Sequence, residues 1–272
     1  SLKDAGHHVE SLVWHHDISY FLPNELGQHR LDGPNGPVCN LHPFLGQKGE
    51  LPLFVYDKLK QVQPNVVITI GTAEETEFLH AIKALYPRLF KWISILTMGV
   101  SVNEHQRESF QYADKILTTT KCTSESVKLN WQLESEHLPY GFDAGTFKQL
   151  NILPAEFSAI SVGRNTQMSN VPAFILAVAE NGINGTLHTN MYDDGENDLL
   201  LLKKRLKAEK LSLPKRFVSV REGLADDEMN QLFNQHHVIV DTSMQSATGI
   251  ALIEAMSTGC IPVGMNRGAI GE

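Results

Sequence analysis

The chain has 272 residues, 42% of them hydrophobic and 20% charged, which is typical of a globular protein large enough for one or two core-forming domains. Lys and Arg number 23 against 31 Asp and Glu, a formal net charge of −8, and no dense basic segment offsets it. The charge pattern therefore predicts no nucleic-acid partner. No apolar run approaches the roughly 20 residues of a membrane span, and no basic region followed by an apolar core opens the chain.

The three cysteines, Cys39, Cys122 and Cys260, lie far apart in the sequence. They lack the paired spacing of a disulfide framework or of a thiolate metal site. We therefore expect free thiols in a reducing compartment and a cytoplasmic protein, with peripheral association with a membrane left open.

The two ends of the sequence predict a fragment of a longer protein. Residues 1–6 have the pattern of a last helical turn with a glycine stop, an unusual place for a domain to begin. Residues 268–272 follow a predicted strand, where an α/β domain normally continues with further units. We therefore expect that a first strand and C-terminal helices are missing.

The first half of the sequence alternates short β-branched runs with helical patterns. In chain order these predict strands at 9–14, 66–71, 92–97, 115–119 and 136–138, and helices at 74–86 and 124–131. Residues 28–49, rich in glycine and proline, predict a long loop, and such loops are often functional or mobile. The alternation is typical of a parallel sheet with crossover helices.

A second series follows a turn-rich segment at 139–147, which predicts a linker. It predicts strands at 157–163, 185–189, 217–220, 237–241 and 261–264, and helices at 171–180, 197–210, 226–235 and 249–257. The sequence therefore predicts an α/β protein with two doubly wound, Rossmann-like halves that face a cleft. Ligands of such folds bind at the carboxyl ends of the strands.

One helix start in the second half has the pattern of an anion site. The strand at 238–241 enters a polar turn in which Ser246 or Thr248 can cap a helix that begins at Gly249 and Ile250. Free N–H groups and a partial positive charge at such a start suit a phosphate. Capping and the helix dipole contribute only about 1 kcal/mol each, so a cationic partner is needed. A plain helix cap and tight turn is the alternative.

Four short motifs then occur in order: DDEMNQLF at 226–233, HVIVDTS at 237–243, GIALIEAM at 249–256 and TGCIPV at 258–263. Together with PYGFDAGTF at 139–147 and ISVGR at 160–164, they resemble the donor half of retaining GT-B glycosyltransferases of family four. The resemblance is in register from about residue 113 to 272, and the residues before 113 match in architecture alone.

The resemblance implies a GT-B fold in three parts. These are an N-terminal acceptor-side Rossmann-like domain at 1–140, a linker at 141–155 and a nucleotide-sugar donor domain at 156–272. It further implies an enzyme that transfers a sugar from a UDP- or GDP-linked donor to a glycan or other acceptor, with retention at the anomeric carbon. Neither a cofactor nor a metal is implied, since preorganised hydrogen-bond donors stabilise the departing diphosphate.

The resemblance also assigns site residues. Arg164 matches the phosphate-binding arginine, and Glu254 matches the glutamate that binds the ribose hydroxyls of the nucleotide; both are predicted as catalytic. The predicted donor site is completed by Gly163, Asn165, Ser246, Thr248, Gly249 and Ile250. The alternatives are a surface ion pair for Arg164 and a solvated helix carboxylate for Glu254, although the apolar neighbours Leu252, Ile253 and Met256 disfavour full exposure of Glu254.

Two positions depart from the family pattern. Ser246 stands where the family has a first glutamate, and Ser169 stands where it has a phosphate-binding lysine. These departures favour an alternative function, a non-catalytic GT-B module that binds nucleotide or glycan or scaffolds partners. A GT-B sugar-nucleotide epimerase is a second enzymatic alternative. On the acceptor side, Glu104 and His105 follow a predicted strand and are candidates to act on an acceptor.

Overall fold

The computed structural model describes residues 6, 8–14, 30–33, 36–44, 51–154, 156–163, 169–189, 204, 206–207, 210–213, 218–220, 223–244 and 249–272. Within these residues, the strands form three sheets of three, four and five strands. The two larger sheets are parallel throughout, which confirms the predicted α/β class. No helix in this described part of the chain is long and apolar enough to cross a membrane. Most of the predicted helix at 197–210 lies outside the described residues.

The smallest sheet corrects the prediction of a long loop at 28–49. It has the order β1-β3-β2, with strands β1 (Glu10–Trp14), β2 (Arg30–Gly33) and β3 (Gly36–Phe44). β2 and β3 are antiparallel and end on the pair Gly33 and Gly36, with a register shift between Leu31 and Asp32. The prediction was wrong because glycine and proline also occur at hairpin turns and strand irregularities, and periodicity does not distinguish these from loops.

The four-stranded sheet and its helices form the N-terminal half. The strands have the order β4-β5-β6-β7 and are β4 (Val66–Gly71), β5 (Lys91–Leu96), β6 (Lys115–Thr118) and β7 (Glu136–His137). The helices are α1 (Leu51–Val62), α2 (Ala73–Thr76), α3 (Leu79–Leu85), α4 (Glu104–Phe110) and α5 (Lys121–Trp131). The predicted helix at 74–86 is therefore broken into α2 and α3, and α1 and α4 were not predicted.

Three stacked aromatic rings form the centre of this half. Phe110 lies between Trp92 and Trp131, with centroid separations of 5.5 and 4.9 Å, and each of the three is at most 1% exposed. The Trp92 indole donates a hydrogen bond to Thr69, and the Trp131 indole donates to the carbonyl of Ser101. Because both buried indoles have partners, the stack combines large apolar burial with no unsatisfied ring N–H.

A buried lysine forms an ion pair at the edge of the same core. Lys83 Nζ lies 2.8 Å from Asp114 Oδ2 and is only 6% exposed as a residue. Asp114 also accepts a hydrogen bond from the Trp92 backbone N–H at 2.8 Å and pairs with Lys91. Burial raises the pKa of Asp114, but the hydrogen bonds from Lys83, Trp92 and Lys91 outweigh burial and lower its pKa to about 2.

The five-stranded sheet and its helices form the C-terminal half. The strands have the order β10-β9-β8-β11-β12 and are β8 (Ser158–Val162), β9 (Asn184–His188), β10 (Val218–Val220), β11 (Val238–Asp241) and β12 (Ile261–Gly264). The helices are α6 (Val171–Asn181), α7 (Asp226–Asn234) and α8 (Ile250–Ser257). A 3₁₀ turn at Gly268–Gly271 follows β12.

Both faces of this sheet carry a core. Ala159 packs with Phe174 and Leu187 in one cluster, whereas Ile160 packs with Phe233 and Leu252 in another. Adjacent residues of a strand point to opposite faces, so helices cover the sheet on both sides. The C-terminal half is therefore doubly wound, as the sequence predicts.

Candidate functional site

The strand order of the C-terminal half creates a crevice at one place. β8 lies between β9 and β11, so the chain leaves β8 toward one edge of the sheet and later returns on its other side at β11. The connections that follow β8 and β11 therefore diverge. In parallel α/β sheets this topological switch point, at the carboxyl ends of the strands, is where ligands bind.

Gly163 lies at the carboxyl end of β8. Its N–H donates to the carbonyl of His188 at 3.1 Å, which continues the ladder with β9. The residue is exposed, and a Cβ added to it would have no atom of the described residues within 4 Å. The described part of the protein therefore leaves space beside this glycine at the switch point, and packing against it does not require a glycine.

The start of α8 lies after β11. Gly249 is the N-cap residue, with φ of 62°, and as a glycine it has no side chain of its own to cap the helix. A Cβ at Gly249 would meet no atom of the described residues within 4 Å, so its left-handed backbone is what favours glycine. The carbonyl of Gly249 accepts from Leu252 and Ile253 and closes the first turn. A helix start with a glycine N-cap leaves its first N–H groups without a cap from that residue, and such groups suit an anion.

Glu254 lies on the second turn of α8 and is half-buried. Burial raises the pKa of its carboxyl, and the negative charge of Asp226 raises it further. No hydrogen bond to this carboxylate is made by another residue of the described ranges. A partly desolvated carboxylate of this kind is an acceptor for hydroxyl groups of a ligand, and it differs from the solvated helix carboxylate that was the alternative.

Thr242 connects the two sides of the switch point. It follows β11, and its hydroxyl lies 3.0 Å from the carbonyls of both Ser169 and Asn170, which precede α6. Asn170 has φ of 48° and does not cap its helix with its own side chain. The connections after β8 and β11 are thus tied together. Sequence reasoning missed this role of Thr242, although its position directly after the strand was the available signal.

The structure describes half of the predicted site. Gly163, Gly249, Ile250 and Glu254 are placed as above, at the end of β8 and the start of α8. Arg164, Asn165, Ser246 and Thr248 lie outside the described residues, so their contacts with a ligand stay predictions. Within the described ranges, no cluster of three or more His, Cys, Asp or Glu side chains could hold a metal ion.

A second concave region lies in the N-terminal half. It is a cavity of about 260 Å³ lined by Leu51, Pro52, Glu74, Glu77, Phe78, His80, Ala81 and His105. The rings of His80 and His105 meet edge to face, with centroids 5.5 Å apart. Glu77 Oε2 is buried without a hydrogen-bond partner among the described residues. His105 was predicted on the acceptor side; Glu74, Glu77 and His80 were missed, although they follow β4 as His105 follows β5.

The chain was compared with known proteins. No family model matches it, and no curated protein matches it at a significant level. Among solved structures, a sucrose-phosphate synthase from Thermosynechococcus elongatus superposes with a TM-score of 0.74 at 15% identity, over 99% of this chain and 74% of that one. Anabaena HepE, solved with UDP and glucose, superposes with 0.67 at 15% identity, over 85% and 69% of the two chains.

A lipopolysaccharide outer core galactosyltransferase, WaaB, is also similar, with a TM-score of 0.59 at 16% identity, over 85% of this chain and 66% of that one. Identities this low show the fold alone. The strand order of the C-terminal half and these superpositions agree, and the predicted fold is confirmed: the chain has the GT-B fold of glycosyltransferases.

Proposed function

We propose that the protein is a glycosyltransferase that moves a sugar from a nucleoside diphosphate sugar to a glycan or other acceptor, with retention at the anomeric carbon. One observation carries this proposal most directly. At the switch point of the C-terminal half, α8 begins at the glycine N-cap Gly249, about one turn before Glu254, a half-buried carboxylate. A diphosphate and the ribose hydroxyls of a nucleotide match these two groups.

The roles of the donor-site residues follow from their chemistry. Glu254 accepts hydrogen bonds from the ribose, while the first N–H groups of α8, at Gly249 and Ile250, face the diphosphate. Arg164 neutralises the departing diphosphate, a charge-assisted contact worth roughly 1.5–3 kcal/mol. Preorganised donors of this kind stabilise the charge that develops on the leaving group. Gly163, Asn165, Ser246 and Thr248 complete the donor side.

The acceptor side is assigned to the N-terminal half. The cavity beside His105 opens where α2 and α4 begin, that is, after the carboxyl ends of β4 and β5. Its Glu77 Oε2, which has no hydrogen-bond partner among the described residues, and its imidazoles suit a ligand that donates hydrogen bonds, such as the hydroxyls of a sugar. The proposed division is an acceptor domain at 1–140, a linker at 141–155 and a donor domain at 156–272.

Two further elements complete the proposal. HepE, solved with UDP and glucose, supports UDP as the first nucleotide to test, with GDP as the alternative. We assign the protein to a reducing, cytoplasmic location because Cys122 and Cys260 are free thiols. Ser169 and Ser246, which stand in place of an expected lysine and glutamate, favour a non-catalytic GT-B module that binds nucleotide or glycan as the second candidate function.

Calorimetric titration with UDP, GDP and their glucose and mannose conjugates tests the donor site. We expect saturable binding of at least one of these ligands and a loss of about tenfold or more in affinity in Glu254→Gln, which keeps the shape of the side chain and removes its charge. The matched control is Glu180→Gln, an exposed carboxylate on α6. Absence of binding to every nucleotide by a folded protein contradicts the donor site.

Turnover separates an enzyme from a binding module. The sugar conjugate that binds is incubated with the protein and a panel of sugar acceptors, and free nucleotide is measured. Release of free nucleotide with any acceptor supports the transferase. Binding of the conjugate without release of nucleotide, whichever acceptor is present, supports the module. Formation of an epimerised sugar nucleotide without any acceptor supports the epimerase.

A further inference from the structure

One carboxylate joins the two halves of the molecule. The N–H of Lys121 donates to Glu272 Oε2 at 2.7 Å, and the N–H of Cys122 donates to Glu272 Oε1 at 2.6 Å. Glu272 follows the 3₁₀ turn after β12 in the C-terminal half, whereas Lys121 and Cys122 are the first two residues of α5 in the N-terminal half. Both oxygens of the carboxylate are used, and the partners are 150 positions apart in the chain.

This contact completes the cap of α5. The first N–H groups of a helix have no partner within the helix. The Thr120 side chain accepts from the N–H of Thr123, and the Thr120 carbonyl accepts from the N–H of Ser124. These bonds leave the N–H groups of the first two residues, which are the ones that Glu272 receives. A negative charge at a helix start is also favoured by the helix dipole.

The contact lies at the carboxyl edges of both parallel sheets. α5 begins where β6 ends, and the 3₁₀ turn that leads to Glu272 begins after β12 ends. Ligands of parallel α/β sheets bind at these edges. The Glu272 contact therefore connects the two edges at which a donor and an acceptor would meet.

The covalent connection between the halves is fixed at both of its ends. The N–H of Leu138 donates to the carbonyl of Thr118, which belongs to β6. The side chain of Phe147 is buried in the C-terminal core, and the N–H groups of Lys148 and Leu150 donate to Asn230 and Asn234 of α7. The residues between these anchors, 139–146, are mostly exposed. We therefore expect a bend between the halves to fall in this short segment.

We propose that the Glu272 latch, meaning the Glu272 carboxylate and the N–H groups of Lys121 and Cys122, holds the two halves closed and has to release before they can separate. With the bend expected at 139–146, a restraint at the carboxyl edges fixes the relative orientation of the halves without any ligand. The latch goes beyond the proposed function, because it concerns the free protein.

The test measures the ligand-free protein in two ways: the radius of gyration by small-angle X-ray scattering, and the hydrogen exchange of the amides at 120–123 by mass spectrometry. Glu272→Ala is expected to increase the radius of gyration. It is also expected to speed exchange at the start of α5 about tenfold or more, since the loss of either of the two charge-assisted hydrogen bonds alone accounts for about that factor. The control Glu125→Ala removes an exposed carboxylate from the same helix and is expected to change neither quantity.

A second variant removes one donor and keeps the acceptor. Lys121→Pro deletes one of the two latch N–H groups at the first position of α5, where proline is well tolerated. Thr120 before it is extended, with φ of −138° and ψ of 154°, which suits a residue that precedes proline. We expect an increase in the radius of gyration smaller than that in Glu272→Ala, with the helical circular dichroism retained.

The latch is overturned if both variants fold and keep the radius of gyration of Glu125→Ala. Since every readout is taken without nucleotide, this result is distinguishable from a failure of the donor-site proposal. If Glu272→Ala does not fold, the outcome for Lys121→Pro decides alone.

Discussion

Two helix starts of the N-terminal half differ from two of the C-terminal half. In the N-terminal half, Asn103 and Thr120 cap α4 and α5 with their own side chains. In the C-terminal half, α6 and α8 begin at Asn170 and Gly249, both with left-handed backbone, and neither residue caps its helix with a side chain of its own. Residues with positive φ cost stability unless they are glycine. The N-cap residues of α6 and α8, beside which a nucleotide is proposed to bind, thus lack the stabilising contact that Asn103 and Thr120 give to α4 and α5.

The hydrophobic cores of the two halves also differ, in the size of the side chains that they bury. The N-terminal half stacks Trp92, Phe110 and Trp131 and buries the Lys83 ammonium. The C-terminal half packs smaller aliphatic clusters on two faces of its sheet, with Phe174 and Phe233 as the fully buried rings among its described residues. We interpret the first half as a rigid domain whose core of large side chains we call the platform. We interpret the second half as a domain whose smaller clusters leave the switch point accessible to a ligand.

The largest expected effect tests the platform. Trp131→Ala is expected to lower the free energy of unfolding by about 3–5 kcal/mol, because it removes a fully buried ring from the aromatic stack and leaves a cavity. Chemical denaturation measures this change. Leu129→Ala on the same helix removes an 80% exposed side chain and is expected to change the free energy by less than about 0.5 kcal/mol. Equal effects of the two variants contradict the platform.

The ion pair between Lys83 and Asp114 predicts a dependence of stability on pH. The pKa of Asp114 is about 2 in the folded protein, below its ordinary 3.8. Its contribution is therefore present above about pH 4 and lost as the pH falls toward 2. We expect Asp114→Asn to remove about 1–2 kcal/mol at pH 7, less than the full shift allows because the side chain is 28% exposed, and less at pH 2. A loss that is equal at both pH values contradicts the pairing.

Alanine substitutions at the two glycines of the proposed site test two different requirements. Gly249 tests the need for a left-handed backbone, and Gly163 tests the need for space beside a ligand. Gly249→Ala is expected to cost about 1–2 kcal/mol of stability, because φ is 62°. Gly163→Ala is expected to cost almost nothing, since its Cβ would meet no atom of the described residues within 4 Å. If a nucleotide occupies that space, Gly163→Ala nevertheless weakens nucleotide binding, by about tenfold for a clash worth 1.4 kcal/mol. Unchanged affinity in Gly163→Ala places the ligand elsewhere.

The smallest expected effects test the difference in caps directly. Thr120→Ala is expected to cost about 1 kcal/mol, because Thr120 accepts the N–H of Thr123 at the start of α5. Asn170→Gly is expected to be neutral or to stabilise by up to about 1 kcal/mol, since glycine adopts its φ of 48° more readily. Thermal unfolding of the two variants side by side measures both. Comparable losses of stability in the two variants would show that the starts of α5 and α6 do not differ in the way proposed.

Strands of the two parallel sheets were the most predictable elements. β4, β5, β8, β11 and β12 lie within one or two residues of their predicted positions, because each is a short segment rich in apolar and β-branched residues. α4 was missed because its buried residues include Gln106 and Ser109 alongside Phe110, so its sequence has little apolar periodicity. The predicted helix at 74–86 breaks near Phe78, which is the N-cap residue of α3.

The site was predictable in composition but not in arrangement. The half-burial of Glu254 follows from the apolar residues around it on α8, and this was read from the sequence. The bond from Thr242 to the chain before α6 and the Glu272 latch were not, since each joins residues more than 70 positions apart. Hydrophobic periodicity reports which face of an element is buried and carries no information about the partner that buries it.

From its sequence alone, this protein is an α/β chain whose second half carries glycine and carboxylate motifs in a fixed order, because apolar runs and turn residues act locally. Tertiary structure decided the strand order β10-β9-β8-β11-β12, and with it the position of the crevice, because pairing between distant strands depends on the competition among all of them. It also decided that the open N–H groups of α5 are satisfied by Glu272 from the other half, since a helix end accepts whichever anion the fold brings to it.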